Sequence, residues 1–269
     1  MKLVELKNIS KKYHTNTNEI LALKDVSFDI NEGDIIAIVG PSGCGKSTIL
    51  SILCGLEEKS SGSIIKDDNL KFGYMFQKDT LFDWITIFDN CLLGAKINHC
   101  VNDETLKRCE VLLKSYGLYE FKDSYPNELS GGEKRIVTLA AIMIKEPNIL
   151  LLDEPINGLD PEGIKELRDL LKKLAKKEKM GILISSHNLS ELETFCTDVV
   201  IIKSGEIISS SSVPLLFVRI EFIYGMIPSV YILPYHIYPG SRIHICICQT
   251  GFRLCMDSDL HELLCHKLV

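Results

Sequence analysis

The sequence has little of several features that define other classes of protein. It holds one tryptophan, and none of its ten cysteines form a C-x-x-C pair. The net charge is −6 at neutral pH, which argues against nucleic acid as a partner, because proteins that bind phosphate backbones favour basic surfaces. Scattered thiols without paired spacing are typical of a reducing compartment, so we expect a cytoplasmic protein.

Long apolar runs are also missing from most of the chain. Residues 1–210 contain no uncharged apolar stretch of 18 residues, so we expect no membrane-spanning helix there. Residues 1–12 alternate charged and apolar side chains, a pattern that does not fit a signal peptide. A hydrophobic content of 46% still allows a substantial core, and 269 residues fit one large domain or two smaller ones.

What the sequence does contain is a phosphate-binding loop that fits G-x-x-x-x-G-K-[ST]. Its residues are Gly40, Pro41, Ser42, Gly43, Cys44, Gly45, Lys46, Ser47 and Thr48. An apolar strand over residues 34–39 precedes it and a helix follows, which is the context the motif requires. The glycines let backbone N–H groups converge on phosphate oxygens. The motif assigns Lys46 to the β- and γ-phosphates and the Ser47 hydroxyl to Mg²⁺.

A carboxylate pair follows a second apolar run. Asp153 and Glu154 come directly after residues 149–152, which form a buried strand on this pattern. A phosphate loop needs a carboxylate at the end of a neighbouring strand to organise Mg²⁺. An adjacent carboxylate can orient a water for attack on the γ-phosphate. The alternative is an acidic pair that caps a helix.

Residues 129–133, Leu-Ser-Gly-Gly-Glu, stand before a predicted helix over residues 133–145. A serine and two glycines at a helix N-terminus form a second anion site. Two phosphate sites are redundant in one copy of the domain. They have a use if two copies face each other, each completing the other's nucleotide site.

The remaining pattern alternates strands with helices. Strands are predicted at residues 3–6, 26–30, 63–66, 71–76, 149–152, 181–184 and 199–202. Further helices are predicted at residues 104–116 and 162–177. Nearly continuous apolar strands between helices indicate an α/β fold with a mostly parallel sheet covered on both faces.

Six motifs, taken in order, resemble the ATP-binding subunit of ABC transporters. They are residues 40–48, Gln77, residues 129–133, residues 149–155, residues 158–160 and His187. The resemblance covers about residues 1–210. It implies a P-loop NTPase fold with an N-terminal antiparallel β subdomain and a helical subdomain inserted at about residues 78–140. The ATP-binding domain then ends near residue 212.

The resemblance also implies a role for individual residues. Tyr13 stacks on adenine, Asp153 holds Mg²⁺, and Glu154 is the general base. Gln77 touches Mg²⁺ and the attacking water and couples to the membrane subunit. His187 contacts the γ-phosphate.

In the family, the nucleotide bound by one subunit is completed by residues of a second subunit, which implies a homodimer. Ser130, Gly131 and Gly132 contact the γ-phosphate bound to the opposite copy, and Asp160 lies at the dimer interface. The expected cofactors are ATP and Mg²⁺, and the expected output is ATP hydrolysis that drives transmembrane permease subunits. The protein is then peripheral on the cytoplasmic face of the membrane.

Residues 76–90 indicate the kind of transporter. The pattern Phe-Gln followed by Leu-x-x-Trp-x-Thr and Asn90 resembles importers of nitrate, sulfonates and taurine, which work with an extracytoplasmic solute-binding protein. Trp84 is either part of the surface that meets the membrane subunit or a core aromatic. Residues 185–193 resemble exporter ATPases instead. The same motifs also allow a soluble ATPase of this superfamily, or a regulator that binds ATP without hydrolysing it.

The sequence departs from the family in residues 129–133, which correspond to the family's signature motif (hereafter the signature), and in the helix that follows them. Glu133 stands where glutamine is commoner, and Ile136 and Ala141 stand where arginines are common. The first exchange adds an acidic residue to the first turn of a helix, a mild effect. The other two remove positive charge near the signature.

The composition changes after about residue 212. The body has 23 lysines and 3 arginines, whereas residues 213–269 have one lysine and three arginines. Apolar residues 213–235 include charges and prolines that make them a poor membrane span. We expect residues 213–269 to be a frameshifted or a truncated and read-through ending, or else a small accessory or membrane-contacting extension. In either case we expect this tail to fold poorly and its exposed apolar residues to favour aggregation.

Overall fold

A computed structural model describes residues 1–14, 18–188, 192, 194–212, 243–248 and 251–256. The chain divides into two compact units, residues 1–210 and 211–269. The first unit holds every motif named above, although residues 189–191 and 193 of the exporter-like segment lie outside the described part.

Regular structure occupies most of the first unit. The strands are β1 Lys2–His14, β2 Glu19–Asn31, β3 Ile35–Val39, β4 Ser61–Lys66, β5 Phe72–Met75, β6 Ile149–Asp153, β7 Gly181–Ser186, β8 Asp198–Lys203 and β9 Glu206–Ser212. The helices are α1 Lys46–Leu53, α2 Ile87–Ile97, α3 Asp103–Ser115, α4 Gly131–Met143 and α5 Pro161–Glu178. Two short 3₁₀ helices, Tyr119–Phe121 and Pro126–Glu128, precede α4.

The central sheet has six strands in the order β5-β6-β7-β3-β8-β9. The pairs β5–β6, β6–β7, β7–β3 and β3–β8 are parallel, as the continuous apolar runs predicted. Every residue of β3, β6 and β7 is buried. Because parallel strands end at the same edge, the segments that follow β3, β5, β6 and β7 meet there.

A second sheet of three antiparallel strands, β2-β1-β4, forms the N-terminal subdomain. The strands β1 and β2 are longer than the sequence pattern suggested, at 13 residues each. One face supplies Leu6, Leu23 and Ile30 to a core that also contains Ile38 of β3 and Leu50 of α1. This shared core fixes the antiparallel sheet beside the phosphate loop.

Helices α2, α3 and α4 surround a second hydrophobic core. Its fully buried residues include Ile87, Cys109, Leu113 and Val137. Ile136, one of the departures from the family pattern, is 5% exposed and packs in this core. Helix α3 lies close to the helix predicted at residues 104–116, whereas the sequence pattern did not predict α2.

After Ser212, the second unit is described only at one pair of strands. Residues Ile243–Cys248 and Gly251–Met256 form an antiparallel pair, in which Ile243 lies opposite Met256. The rest of the expected atypical tail, including apolar residues 213–235, lies outside the described residues. Within the part of the chain that the structure describes, no helix is both long and apolar enough to cross a membrane.

Candidate functional site

The phosphate loop connects the end of β3 to the start of α1. Lys46 is 5% exposed, and its ammonium folds back onto the loop. Its Nζ donates to Gly40 O at 2.9 Å and to Pro41 O at 3.3 Å. The loop therefore curls around its own lysine, which places a buried positive charge at the carboxyl edge of the sheet.

Gly45 is required where the loop enters α1. Its φ is 109°, and a Cβ at this position would lie 2.6 Å from Leu23 Cδ2 and 2.8 Å from Ala22 O. Because glycine is the N-cap residue, no side chain caps α1. The N-terminal N–H groups of α1 lack an intrahelical acceptor, as in any helix, and so suit an anion such as phosphate.

An oxygen cluster lies beside the loop. Ser47 Oγ lies 3.0 Å from Asp153 Oδ1, and Ser185 Oγ donates to the same oxygen at 2.6 Å. Hydroxyl and carboxylate oxygens are ligands that suit Mg²⁺, which usually completes its shell with phosphates and waters. The side chains of Ser47 and Asp153 therefore fit the metal that the sequence predicted there.

Glu154 follows β6 with an unusual backbone conformation. Its φ is +46°, in the left-handed region that non-glycine residues rarely adopt. Its N–H donates to Ser185 Oγ at 2.9 Å, which helps to hold that conformation. Strain of this kind persists where the surroundings fix it and clusters at functional sites.

Four side chains converge on the Glu154 carboxylate. Oε2 lies 3.2 Å from Gln77 Nε2, 3.3 Å from His187 Nδ1 and 3.4 Å from Asn157 Nδ2. Oε1 lies 3.6 Å from Lys46 Nζ. The structure therefore brings together all four residues that the sequence proposed as catalytic, namely Lys46, Gln77, Glu154 and His187.

Two residues of this cluster were missed by sequence reasoning. Ser185, fully buried at the end of β7, holds Asp153 and the Glu154 backbone at once. Asn157 lies next to Glu154 on a cavity of about 100 Å³ that His187 also lines. The sequence signals that could have found them are a serine near the end of a buried strand, for Ser185, and an amide three residues after Glu154, for Asn157.

Tyr13 lies near the end of β1, opposite Ile20 of β2. The Lys11 ammonium is 4.7 Å from the centre of its ring. Lys11 is in turn paired with Leu23, which contacts the phosphate loop at Gly45. Tyr13 is thus two positions along β1 from Lys11, the residue opposite Leu23, and its stacking on adenine stays a prediction.

The residues predicted to form a second anion site include a carboxylate, that of Glu133. Ser130 is the N-cap of α4, and its Oγ and its N–H donate to Glu133 Oε2 at 2.7 Å and 2.8 Å. The Glu133 N–H donates to Ser130 Oγ at 3.3 Å, which completes a capping box. The sequence predicted a mild effect of Glu133, but here its charge directly engages the signature serine.

The signature glycines pack against the start of α5. A Cβ on Gly132 would lie 3.1 Å from Gly163 Cα, whereas one on Gly131 would meet only Leu159 Cδ2 at 3.7 Å. Asp160 caps α5 by accepting from Gly163 N at 3.2 Å. Within the described residues, no hydrogen bond or ion pair joins Ser130, Gly131 or Gly132 to residues 40–48, and the expected interface roles stay predictions.

A small loop before α2 presents two aromatic rings. Asn90, 5% exposed, donates to the carbonyls of Phe82, Ile85 and Thr86 at 3.0–3.1 Å and accepts from Phe82 N at 2.8 Å. Trp84 is 73% exposed, with its ring 4.8 Å from that of Phe82. Trp84 is therefore a surface residue, and the interpretation of it as a core aromatic is wrong.

Comparison with known proteins gives matches to ABC transporter ATP-binding proteins. A family model described as ABC transporter matches residues 23–157. A methionine import ATP-binding protein of Bacillus cereus is 33% identical over 229 residues, which cover 80% of this chain and 66% of that protein. The chain thus spans just under two thirds of the length of that relative. A probable sulfate/thiosulfate import ATP-binding protein of Chlorella vulgaris is 36% identical over 216 residues, covering 77% and 90% of the two chains.

Solved structures share the fold of the first unit. A dimeric ATP-binding cassette in a post-hydrolysis state, bound to ADP and Pi, is 31% identical. The match covers 78% of this chain and 99% of that one, with a TM-score of 0.69.

Proposed function

The chain belongs to the ABC transporter family, and on that premise we propose that it is the ATP-hydrolysing subunit of an importer of small solutes. The observation that carries this proposal is the convergence of Lys46, Gln77, Asn157 and His187 on Glu154. A carboxylate surrounded by hydrogen-bond donors, beside a phosphate loop, suits a residue that orients and deprotonates water.

The residues of one copy would bind ATP and Mg²⁺. The backbone of residues 40–48 and the N-terminus of α1 would hold the phosphates, with Lys46 turned from its loop carbonyls toward them. Ser47 and Asp153 would hold Mg²⁺, and Gln77 would complete the set from the neighbouring segment. The bound ion would neutralise phosphate charge; the protein's own groups bind, orient and accept the proton.

A second copy would complete the site. Ser130, Gly131 and Gly132 lie at the N-terminus of α4, where backbone N–H groups face an incoming anion. Two copies arranged head to tail would each cover the other's γ-phosphate, with Asp160 between them. ATP would then act as a ligand that favours the closed dimer, and hydrolysis would reopen it.

The aromatic pair Phe82 and Trp84 supports a membrane partner. The buried Asn90 fixes the loop that exposes both rings, so the exposure is built into the fold. Exposed aromatics on a rigid loop are typical of protein interfaces. We assign this loop to transmembrane permease subunits, which would place the protein on the cytoplasmic face of the membrane, with a solute-binding protein on the far side.

The substrate class is a further part of the proposal. The pattern from Phe76 to Asn90 resembles importers of nitrate, sulfonates and taurine, and the relatives named above import methionine and sulfate or thiosulfate. Small anionic or zwitterionic solutes are the shared chemistry. Uptake of labelled taurine and methionine by membranes that contain the full transporter would separate these choices.

Release of phosphate from MgATP by the purified chain, alone and with its permease subunits, tests the proposed function. We expect the wild type to hydrolyse ATP and Glu154→Gln to bind ATP with turnover reduced at least about a hundredfold, because the amide cannot accept the proton. Glu120→Gln, an exposed control, should match the wild type. Turnover at the wild-type rate in Glu154→Gln would contradict the assignment.

A further inference from the structure

Arg135 is a buried cation on α4, five residues into the helix that starts at the signature. It is 6% exposed overall, a rare state for arginine unless its charge is paired. Its NH1 donates to Phe76 O at 3.0 Å, and its NH2 donates to Gln77 O. NH1 also lies 3.4 Å from Asp79 Oδ1.

All of these partners belong to one short segment. Phe76, Gln77 and Asp79 follow β5, which ends at Met75, and this segment carries the Gln77 amide to Glu154. Arg135 itself belongs to α4, whose N-cap is Ser130. One guanidinium therefore joins the signature helix to the segment that reaches the candidate catalytic carboxylate.

From this geometry we propose that Arg135 is a positioning residue for ATP hydrolysis, which fixes the main chain at Gln77 so that the Gln77 amide meets Glu154. This inference rests on the proposed function. Arg135 itself touches neither nucleotide nor water.

The chemistry of the contact favours arginine over lysine. A planar guanidinium can donate to two carbonyl oxygens at once in a fixed geometry, whereas an ammonium is a point charge on a flexible stem. Displacing a catalytic group by about 1 Å can reduce the rate by about a hundredfold. Loss of the two hydrogen bonds from Arg135 should therefore reduce the turnover rate more than the affinity for nucleotide, because residues 40–48 would provide the binding.

Steady-state kinetics of Arg135→Gln and Arg135→Lys test the proposal. We expect kcat to fall at least about tenfold in Arg135→Gln with KM within about threefold of the wild type, and Arg135→Lys to recover part of the loss. Arg108→Gln is the matched control, because Arg108 also donates to a carbonyl of α4, Met143 O at 3.1 Å, without contacting the Gln77 segment. It should keep the wild-type kcat.

A double-mutant cycle separates positioning from general loss of structure. If Arg135 acts through Gln77, the change Arg135→Gln should add less than about twofold to the loss already caused by Gln77→Ala. Losses that multiply, or an equal fall of kcat in Arg108→Gln, would overturn the proposal. Arg135→Lys replaces Arg135→Gln in the cycle if the latter does not fold. If the wild type itself releases no phosphate, the proposed function fails instead.

Discussion

The Gln77 amide donates to Glu154 Oε2 at 3.2 Å, across the ends of two adjacent parallel strands. Gln77 follows β5 and Glu154 follows β6, which pair in register from Phe72 and Ile149. The hydrogen bond joins the segment that leads toward the exposed Trp84 loop to the carboxylate at the phosphate loop. We propose that a change at the nucleotide reaches the aromatic surface through this segment.

Lys46→Ala should weaken nucleotide binding. The ammonium is the buried positive charge of the phosphate loop, 5% exposed, and its removal would take away the charge-assisted bond to phosphate that we propose for it. We expect the dissociation constant for ATP to rise at least about tenfold by calorimetry, since bonds to charged groups contribute about 1.5–3 kcal/mol. Lys59→Ala, at an exposed position, is the control, and equal affinities in the two variants would contradict the role of Lys46.

Gly132→Ala should destabilise the fold more than Gly131→Ala. Both changes place a methyl in the first turn of α4, so the gain in helix propensity is similar. At Gly132 the new Cβ lies 3.1 Å from the Gly163 backbone, whereas at Gly131 the nearest atom is a leucine methyl at 3.7 Å. From urea titration, we expect the free energy of unfolding of Gly132→Ala to be about 1–3 kcal/mol lower than that of Gly131→Ala. A smaller loss than for Gly131→Ala would show that α4 and α5 do not pack this closely.

Much of this architecture could be predicted because it depends on local patterns. The loop at residues 40–48, the buried strand before Asp153 and the capping serine at 130 are each recognisable within about ten residues. The parallel sheet followed from apolar runs that alternate with helices. Such a sheet gathers the ends of its strands at one edge, and there the structure brings Lys46, Gln77 and His187 to Glu154.

The parts that sequence reasoning missed depend on contacts between distant segments. Ser185 becomes important only because β7 lies beside β6, and Arg135 only because α4 covers the end of β5. Helix α2 was missed although Thr86, whose side chain accepts from Asp89 N, is a local capping signal. The buried face of α2 becomes clear only where Ile87 and Leu92 pack with residues of α3 and α4. The positive φ of Glu154 could not be predicted either, because nothing in the neighbouring sequence indicates a left-handed backbone at a glutamate.

Glu133→Gln should strengthen ATP-dependent dimerisation. The Glu133 carboxylate accepts from Ser130 Oγ, the group expected to meet the γ-phosphate of a second copy, and so places like charges together. Glutamine keeps the capping box and removes the charge. On a Glu154→Gln background, we expect the dimer dissociation constant in MgATP to fall about three- to tenfold by sedimentation equilibrium.

The control for this change is Glu128→Gln. Glu128 caps the preceding 3₁₀ helix by accepting from Tyr125 N at 2.7 Å, so it has the same chemistry outside the signature. It should leave the dimer constant unchanged. Weaker association in Glu133→Gln than in the control would show that the carboxylate assists closure rather than opposing it.

Stability should decrease in alkaline solution. Burial raises the pKa of the Cys196 thiol from 9.0 to about 12, so the folded protein keeps this proton where the unfolded chain has lost it. The unfolded state is then favoured as pH rises from 9.0 toward about 12, by at most about 1.4 kcal/mol per pH unit for one thiol. Burial raises the pKa of Tyr74 to about 12 with the same sign. Urea titrations across this range should give a shallower decline for Cys196→Ala than for the wild type, and equal slopes would contradict the assignment.

The central claim is that residues 40–48 and residues 130–132 form one nucleotide site only when two copies of the chain meet. Sedimentation velocity of Glu154→Gln, which should bind but not turn over ATP, tests it most directly. We predict a monomer without nucleotide and a dimer in saturating MgATP, with the monomer restored when Ser130→Phe blocks the signature. A protein that binds ATP by calorimetry yet remains monomeric would contradict the account.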